Sequence, residues 1–343
     1  IRPHVAVTSV DTASEALAVS IAEKARVDMP FMAELSGKTE QELETELAGV
    51  IFRDVNCAER KEEIPVAFVD LERYAFVTAD EYLSGNVRRK LRMVKALCEV
   101  LPEEKASLLQ QNVTALEAVQ PVDLTAGEIG VRIGVNWVPR EIYEQFLYEV
   151  IGTSAYARDK IHVLYSPHSG EWNVTNKSFD GSNIKAVTTY GTKRINAYHI
   201  FEQTLNQKDV RIYDTKLDAN GNEVRVLNKK ETAIAQDRQE LIKAKFAEWV
   251  WRDIDRRERL CGIYNETFNA IRPREYDGQH IRFSGMNPEI TLRKHQINAI
   301  AHIMYGGNTL LAHEVGAGKT FEIVAAAMES KRLGLCTKSL IVV

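Results

Sequence analysis

His313-Glu314-Val315-Gly316-Ala317-Gly318-Lys319-Thr320 decides how this chain is read. The apolar run Thr309-Leu310-Leu311-Ala312 precedes it, and a helical pattern from Phe321 to Lys331 follows. A strand, a glycine-bearing loop ending Gly-Lys-Thr, then a helix is the context of a phosphate-binding loop. Glycine lets backbone N–H groups turn inward and leaves open the space a Cβ would fill. The helix N-terminus adds roughly half a positive charge. On this reading the amides of Gly316, Ala317, Gly318 and Lys319 cradle the phosphates of ATP. The Lys319 ammonium reaches the β and γ phosphates as the catalytic cation, and the Thr320 hydroxyl ligates Mg²⁺. The general pattern G-x-x-x-x-G-K-[ST] has glycine where this chain has His313, so the fit is incomplete there. The plainer reading is a glycine-rich turn ahead of a core helix.

Working outward, Lys338-Ser339-Leu340-Ile341-Val342-Val343 reads as a second buried strand in which the sequence stops. Hydrolysis of ATP needs further strands, one of them carrying carboxylates for Mg²⁺ and water, and none follows the loop. The sequence starts at Ile1 without an initiator Met. A fragment truncated on both sides, slow at hydrolysis by itself, is the expectation. The fold class expected is mixed: an α+β, helix-rich N-terminal and middle region, then the first part of a RecA-like α/β P-loop domain.

Composition narrows the function classes less than the loop does. The 343 residues are 45% hydrophobic and 27% charged, with a formal net charge of −4. That balance gives no global nucleic-acid signature, so contact with DNA must come from local patches or from parts outside this sequence. Cys57, Cys98, Cys261 and Cys336 form no C-x-x-C pair, which argues against a zinc site and suits a reducing cytoplasm. No run of 18 apolar residues is present, so no membrane partner is expected.

Along the chain, five segments are expected: 1–78, 79–122, 123–228, 229–271 and 272–343. Cap-type residues at Asp11-Thr12, the helix Pro30–Leu35 and the capping-box spacing Thr39…Glu42 give three short helices within 11–50. Strand-like pieces at Val50–Phe52, Pro65–Val69 and Tyr74–Val77 add a wing. Three helices and a wing resemble a winged-helix module, whose third helix often enters the DNA major groove. Here that helix carries Glu40, Glu42, Glu44 and Glu46 and no basic residue, which favours a packing or protein-contact role. The basic run Ser84–Arg92 opens a helical stretch reaching Pro121, as a solvated face or as a contact to a nucleic-acid backbone. A helix from Pro139 to Val150, a hairpin of Ile161–Tyr165 with Glu171–Val174, and a helix Ala197–Leu205 follow. A second hairpin joins Val210–Tyr213 to Glu223–Leu227 through Asp218-Ala219-Asn220-Gly221. One bracing helix is expected over 229–271, with Trp249 and Trp251 as core aromatics or base-stacking platforms.

Leu292-Arg293-Lys294-His295-Gln296-Ile297-Asn298-Ala299-Ile300, about twenty positions ahead of the loop, adds a second landmark. A leucine-arginine pair, a glutamine, an amphipathic helix, a strand and a Gly-Lys-Thr loop resemble the opening of a superfamily 2 helicase of the Swi/Snf type. The resemblance implies that Gln296 reads the adenine edge, since an amide donates and accepts at once. The segments Ala79–Val87, Arg272–Gly278 and Tyr305–His313 extend the likeness to the very large helicase-like proteins of phages and conjugative elements. In those, an adenine-specific DNA methyltransferase is often fused. Asn287-Pro288-Glu289-Ile290 lacks the second proline and the aromatic of a methyltransferase motif. What the resemblance implies is a DNA-dependent ATPase, helicase or translocase, acting on double-stranded DNA through the intact protein, with ATP and Mg²⁺. The alternative is a DNA- or protein-binding accessory module whose loop only senses nucleotide. A P-loop enzyme of small molecules is disfavoured by Gln296 and its spacing to the loop.

Overall fold

Three side chains that cap their own helices set the N-terminal architecture. Thr12, Asp28 and Thr39 accept from the amides of Glu15, Phe31 and Glu42, which starts α1 (Ala13–Lys24), α2 (Met29–Ser36) and α3 (Glu40–Glu46). Glu15 and Glu42 return a bond to the cap backbone, so both capping boxes form. The computed structural model describes residues 7–55, 75–217 and 222–342. Strand β1 (Ile51–Arg53) pairs antiparallel with β2 (Phe76–Thr78), Ile51 facing Thr78 and Arg53 facing Phe76. The strand expected at Pro65–Val69 and the start of the one at Tyr74 lie outside the described residues.

α4 (Ala79–Tyr82), the short strand β3 (Gly85–Asn86), α5 (Val87–Val100), α6 (Glu103–Ser107) and α7 (Gln110–Ala118) come next. Their apolar residues close on Phe52, whose ring stacks on Tyr82 at 5.0 Å, with Val87, Val94, Leu97, Leu109 and Leu116 around the pair.

The chain divides into two compact units, Ile1–Pro121 with Ala270–Val343, and Val122–Asn269. Thus the expected segment 123–228 and all but the last two residues of 229–271 share one unit, while 1–78, 272–343 and all but the last residue of 79–122 fall in the other. In the Val122–Asn269 unit, α8 (Arg140–Phe146) runs into a π-helical turn, Leu147–Ile151, and α9 (Ala155–Arg158) follows. β4 (Val163–Ser166) pairs with β5 (Glu171–Val174), and α10 spans Ala197–Leu205. β6 (Tyr213–Leu217) pairs with β7 (Glu223–Leu227), and α11 (Lys229–Val250) and α12 (Ile254–Phe268) complete the unit. Aromatic rings fill its centre: Phe146 packs on Phe201, Phe246 and Trp249, and Tyr143 on Trp172.

Two expectations change here. The expected single helix over 229–271 is two, because Asp253 caps a new start while Arg256 donates back to the carbonyls of Trp249 and Val250. The second hairpin begins three residues later than its apolar alternation suggests. Val210 and Ile212 are buried, but their amides donate to the Gln239 and Thr232 side chains of α11 instead of a ladder. The turn expected at 218–221 lies outside the described residues.

Returning to the first unit, β8 (Ile271–Arg272) pairs with β3, and α13 (Lys294–Gly306) and α14 (Lys319–Arg332) follow. Ile300, Ala301, Met304, Ala326 and Leu333 share one apolar cluster with Ala13, Leu17, Met32, Leu43 and Ile51. The helices that flank the loop and the winged-helix-like helices therefore have a common core. The strand expected at Thr309–Ala312 and the described part, 338–342, of the one expected from Lys338 are unpaired chain instead. Among the described residues no strand lies beside them, and Leu310, Leu340 and Val342 are more than 80% exposed. A buried parallel strand needs neighbours on both edges, and without them the same residues have no ladder to join.

Candidate functional site

The loop takes its shape from two glycines. Gly316 and Gly318 have φ of +88° and +93°, a region that side chains other than glycine's rarely occupy. Gly318 caps α14, and the first backbone bonds behind it run from Phe321 and Glu322 back to its carbonyl. The amides of Gly318, Lys319 and Thr320 consequently have no acceptor among the described residues, as the first turn of any helix requires. They point out of the positive end of a 14-residue helix.

Lys319 folds over this bend. Its ammonium donates to the carbonyls of His313 at 2.8 Å and Glu314 at 3.0 Å, so it closes the loop from the mouth. The side chain is half-buried, while Thr320 is exposed. A second brace comes from α13. The Gln296 amide nitrogen donates to the carbonyls of Ala317 at 3.2 Å and Gly318 at 3.4 Å. Its oxygen accepts from the Arg293 amide at 2.9 Å, and His295 Nε2 lies 2.9 Å from the Ala317 carbonyl. Gln296 is 6% exposed. In this arrangement both ends of its amide serve the loop and the start of α13, and reading an adenine edge would require it to release a partner.

His313, which departs from the general pattern, has a definite place. Its Nδ1 lies 3.0 Å from Glu322 Oε1 and 3.1 Å from Oε2, and Glu322 is fully buried. His295 Nε2 is 4.0 Å from the same carboxylate. Sequence reasoning missed Glu322. The available signal was an acidic residue in the first turn of the helix after Gly-Lys-Thr, where the dipole favours it.

Further from the loop, the basic run at the start of α5 is largely engaged. Lys90 donates to the carbonyls of Tyr82 at 2.7 Å, Ser84 at 3.0 Å and Glu81 at 3.3 Å, ending the turn of α4. Arg88 donates to the Pro121 carbonyl, and Lys95 pairs with Glu117. Two of the segments that carry the helicase likeness meet each other: Arg274 pairs with buried Asp80 at 2.5 Å, and Gly85 faces Arg272 across the short sheet. Trp249 is 8% exposed, with its Nε1 on Glu149 and the Arg256 guanidinium 3.5 Å from its ring, so it is a core residue and no stacking platform. On α3, Glu44 pairs with Arg53 and Glu46 with Lys38, and Leu43 faces the core. Among the described residues no helix is long and apolar enough to cross a membrane.

Comparison with known proteins agrees with the N-terminal reading. Residues 9–59 match the family described as "Probable helicase, winged helix domain", which relates this part of the chain to helicases. Residues 132–270 match a "Domain of unknown function (DUF8437)", and the match nearly coincides with the Val122–Asn269 unit. Neither the curated proteins nor the solved structures contain a match.

Proposed function

We propose that this chain is the nucleotide-binding part of a DNA-dependent ATPase, a helicase or translocase of the Swi/Snf type, and that residues 272–343 open its RecA-like domain. One observation carries the reading: two left-handed glycines present the open amides of Gly318, Lys319 and Thr320 at a helix N-terminus while Lys319 arches over the bend. This is a site shaped for an anion of several oxygens. The match of residues 9–59 to a helicase winged-helix domain supports the same assignment.

When bound, Mg·ATP supplies the phosphoanhydride bond whose cleavage would drive movement along DNA. The residues of this chain then have separate tasks. The amides of Gly316, Gly318 and Lys319 would hold phosphate oxygens, that of Ala317 would first leave the Glu314 carbonyl to which it donates at 3.3 Å, and the Lys319 ammonium would exchange its carbonyl partners for the β and γ oxygens. Thr320, exposed at the head of α14, would offer its hydroxyl to Mg²⁺. Gln296 holds the back of the loop and gives up its contact with Ala317 or Arg293 to meet adenine. Duplex DNA is the proposed polymer, and a fused or associated adenine methyltransferase the proposed companion activity.

The unpaired chain at 309–312 supports a second reading, an accessory module whose loop senses nucleotide without hydrolysing it. Binding of a fluorescent ATP analogue to residues 1–343, with and without Mg²⁺, tests the site common to both readings. Saturable binding strengthened by Mg²⁺ is expected, and no binding at millimolar analogue would remove both.

A further inference from the structure

Beneath the loop lies a carboxylate that the proposed nucleotide chemistry does not use. Glu322 stands in the first turn of α14, and its side chain is closed to solvent. Asp80, Asp180 and Glu329 are the other buried carboxylate residues among those described. Asp80 and Glu329 pair with arginine, and Asp180 accepts from hydroxyls and amides. Among the described residues Glu322 has only imidazoles. His313 Nδ1 reaches both of its oxygens, and His295 Nε2 stands 4.0 Å from one of them. A buried charge costs free energy that a leucine in the same place would not. The helix dipole offsets part of that cost in the first turn, but it does not account for the two histidines.

The imidazoles tie this carboxylate to both ends of the loop. An ionised carboxylate only accepts, so His313 carries its proton on Nδ1 and its ring is held against α14. The carbonyl of the same histidine accepts from the Lys319 ammonium at 2.8 Å. His295 meets the other end, where its Nε2 lies 2.9 Å from the Ala317 carbonyl. The Glu322 amide adds a bond to the Gly318 carbonyl at 3.4 Å. One buried residue is therefore linked to the entrance of the loop, to its exit and, through His313, to the place where Lys319 rests.

We propose that Glu322 is a positioning residue for Lys319, acting through His313, which keeps the ammonium arched over the bend before nucleotide arrives. This role presupposes the nucleotide reading of the loop. Its physical basis is preorganisation. A loop entrance already held by a buried hydrogen bond has less freedom to lose when a triphosphate enters. The same role gives a reason for histidine where the general pattern has glycine, since glycine offers no side chain to anchor. It also gives a reason for an acid on the buried side of α14, directly behind Gly-Lys-Thr.

Glu322→Leu separates this role from a share in folding. Leucine fills the site with no charge to bury, and the His313 ring, 30% exposed, is left to water, so the melting temperature should stay within a few degrees of wild type. Titration of residues 1–343 with Mg·ATP, well below that temperature, should nevertheless show binding weakened about fivefold. In a Lys319→Ala background the same substitution should weaken ATP by less than about twofold, because the residue it acts on is gone. Glu322→Gln, whose amide oxygen still accepts from Nδ1, should bind ATP within about twofold of wild type. If Glu322→Leu does not fold, the pair His313→Leu with Glu322→Leu leaves neither partner unmet and is read in the same way. Equal ATP affinity in wild type and Glu322→Leu overturns the role. So does an undiminished loss in the Lys319→Ala background, or a Glu322→Gln loss as large as that of leucine. Each of these results leaves the ATP site standing. Absence of ATP binding by the wild-type chain would instead remove the nucleotide reading, and this role with it.

Discussion

The Nδ1 atom of His313 lies 3.0 Å from Oε1 of Glu322, a carboxylate with no exposure to solvent. The bond ties the entrance of the loop to the first turn of the helix behind it. Among the described residues it is the only hydrogen bond that reaches that carboxylate. The His313→Ala variant should therefore lose about 1–3 kcal/mol by leaving a buried acceptor unmet. Urea unfolding measures it. Adding Glu322→Ala to His313→Ala should cost little more than either change alone, because the two residues act as a pair.

Gly318 should accept no side chain. A Cβ there would stand 2.3 Å from the Gln296 amide nitrogen, on a backbone with φ of +93°. Gly318→Ala is expected to lower stability by about 1–3 kcal/mol and to weaken ATP-analogue binding, the two read by thermal melting and titration. Gly316, with φ of +88° but open space at its Cβ, should show only the backbone part of that loss when changed to Ala.

Asp80 and Arg274, 194 positions apart, join the two stretches of the first unit. Asp80 is 7% exposed, while Arg274 reaches solvent with 42% of its side chain. Arg274→Ala should cost about 2 kcal/mol, a charged hydrogen bond discounted for that solvent access. Arg274→Lys should recover only part of it, since lysine lacks the planar fork.

Acid should act on the second unit through Asp180. Burial pushes its carboxyl up, yet the Ser154 hydroxyl, the Tyr198 hydroxyl, the Ser154 amide and the Asn183 side chain together hold it below the ordinary carboxylate range. A depressed folded value means stability present above the unfolded value, about 3.9, and lost as pH falls toward the folded one. Unfolding followed by Trp172 and Trp249 fluorescence should show stability dropping below about pH 4, and Asp180→Asn should flatten that slope while costing about 1–3 kcal/mol at pH 7.

Much of this was legible in the sequence where local chemistry decides structure. Thr12, Asp28 and Thr39 announce their helices because caps act within four residues, and α10 emerges over Ala197–Leu205 as its pattern requires. The helicase resemblance singled out Gln296 and Lys319, and both meet the loop, Gln296 on the carbonyls of Ala317 and Gly318 and Lys319 on those of His313 and Glu314. What escaped reading depends on distant partners. The alternation of Val210 and Ile212 comes from anchoring on Gln239 and Thr232, which an apolar pattern does not distinguish from a strand. Thr309–Ala312 has a strand's composition, yet the Thr309 hydroxyl bonds back to the carbonyls of His302 and Gly307 at the end of α13. Glu322 escaped because its role exists only once His313 is folded against it.

Titration of the wild-type chain and its Lys319→Ala variant with Mg·ATP is the most direct test. The ammonium now satisfied by two loop carbonyls should transfer to the triphosphate, so the variant should bind at least tenfold more weakly, with its melting temperature lowered by only a few degrees. Equal affinity in the two proteins would contradict the account.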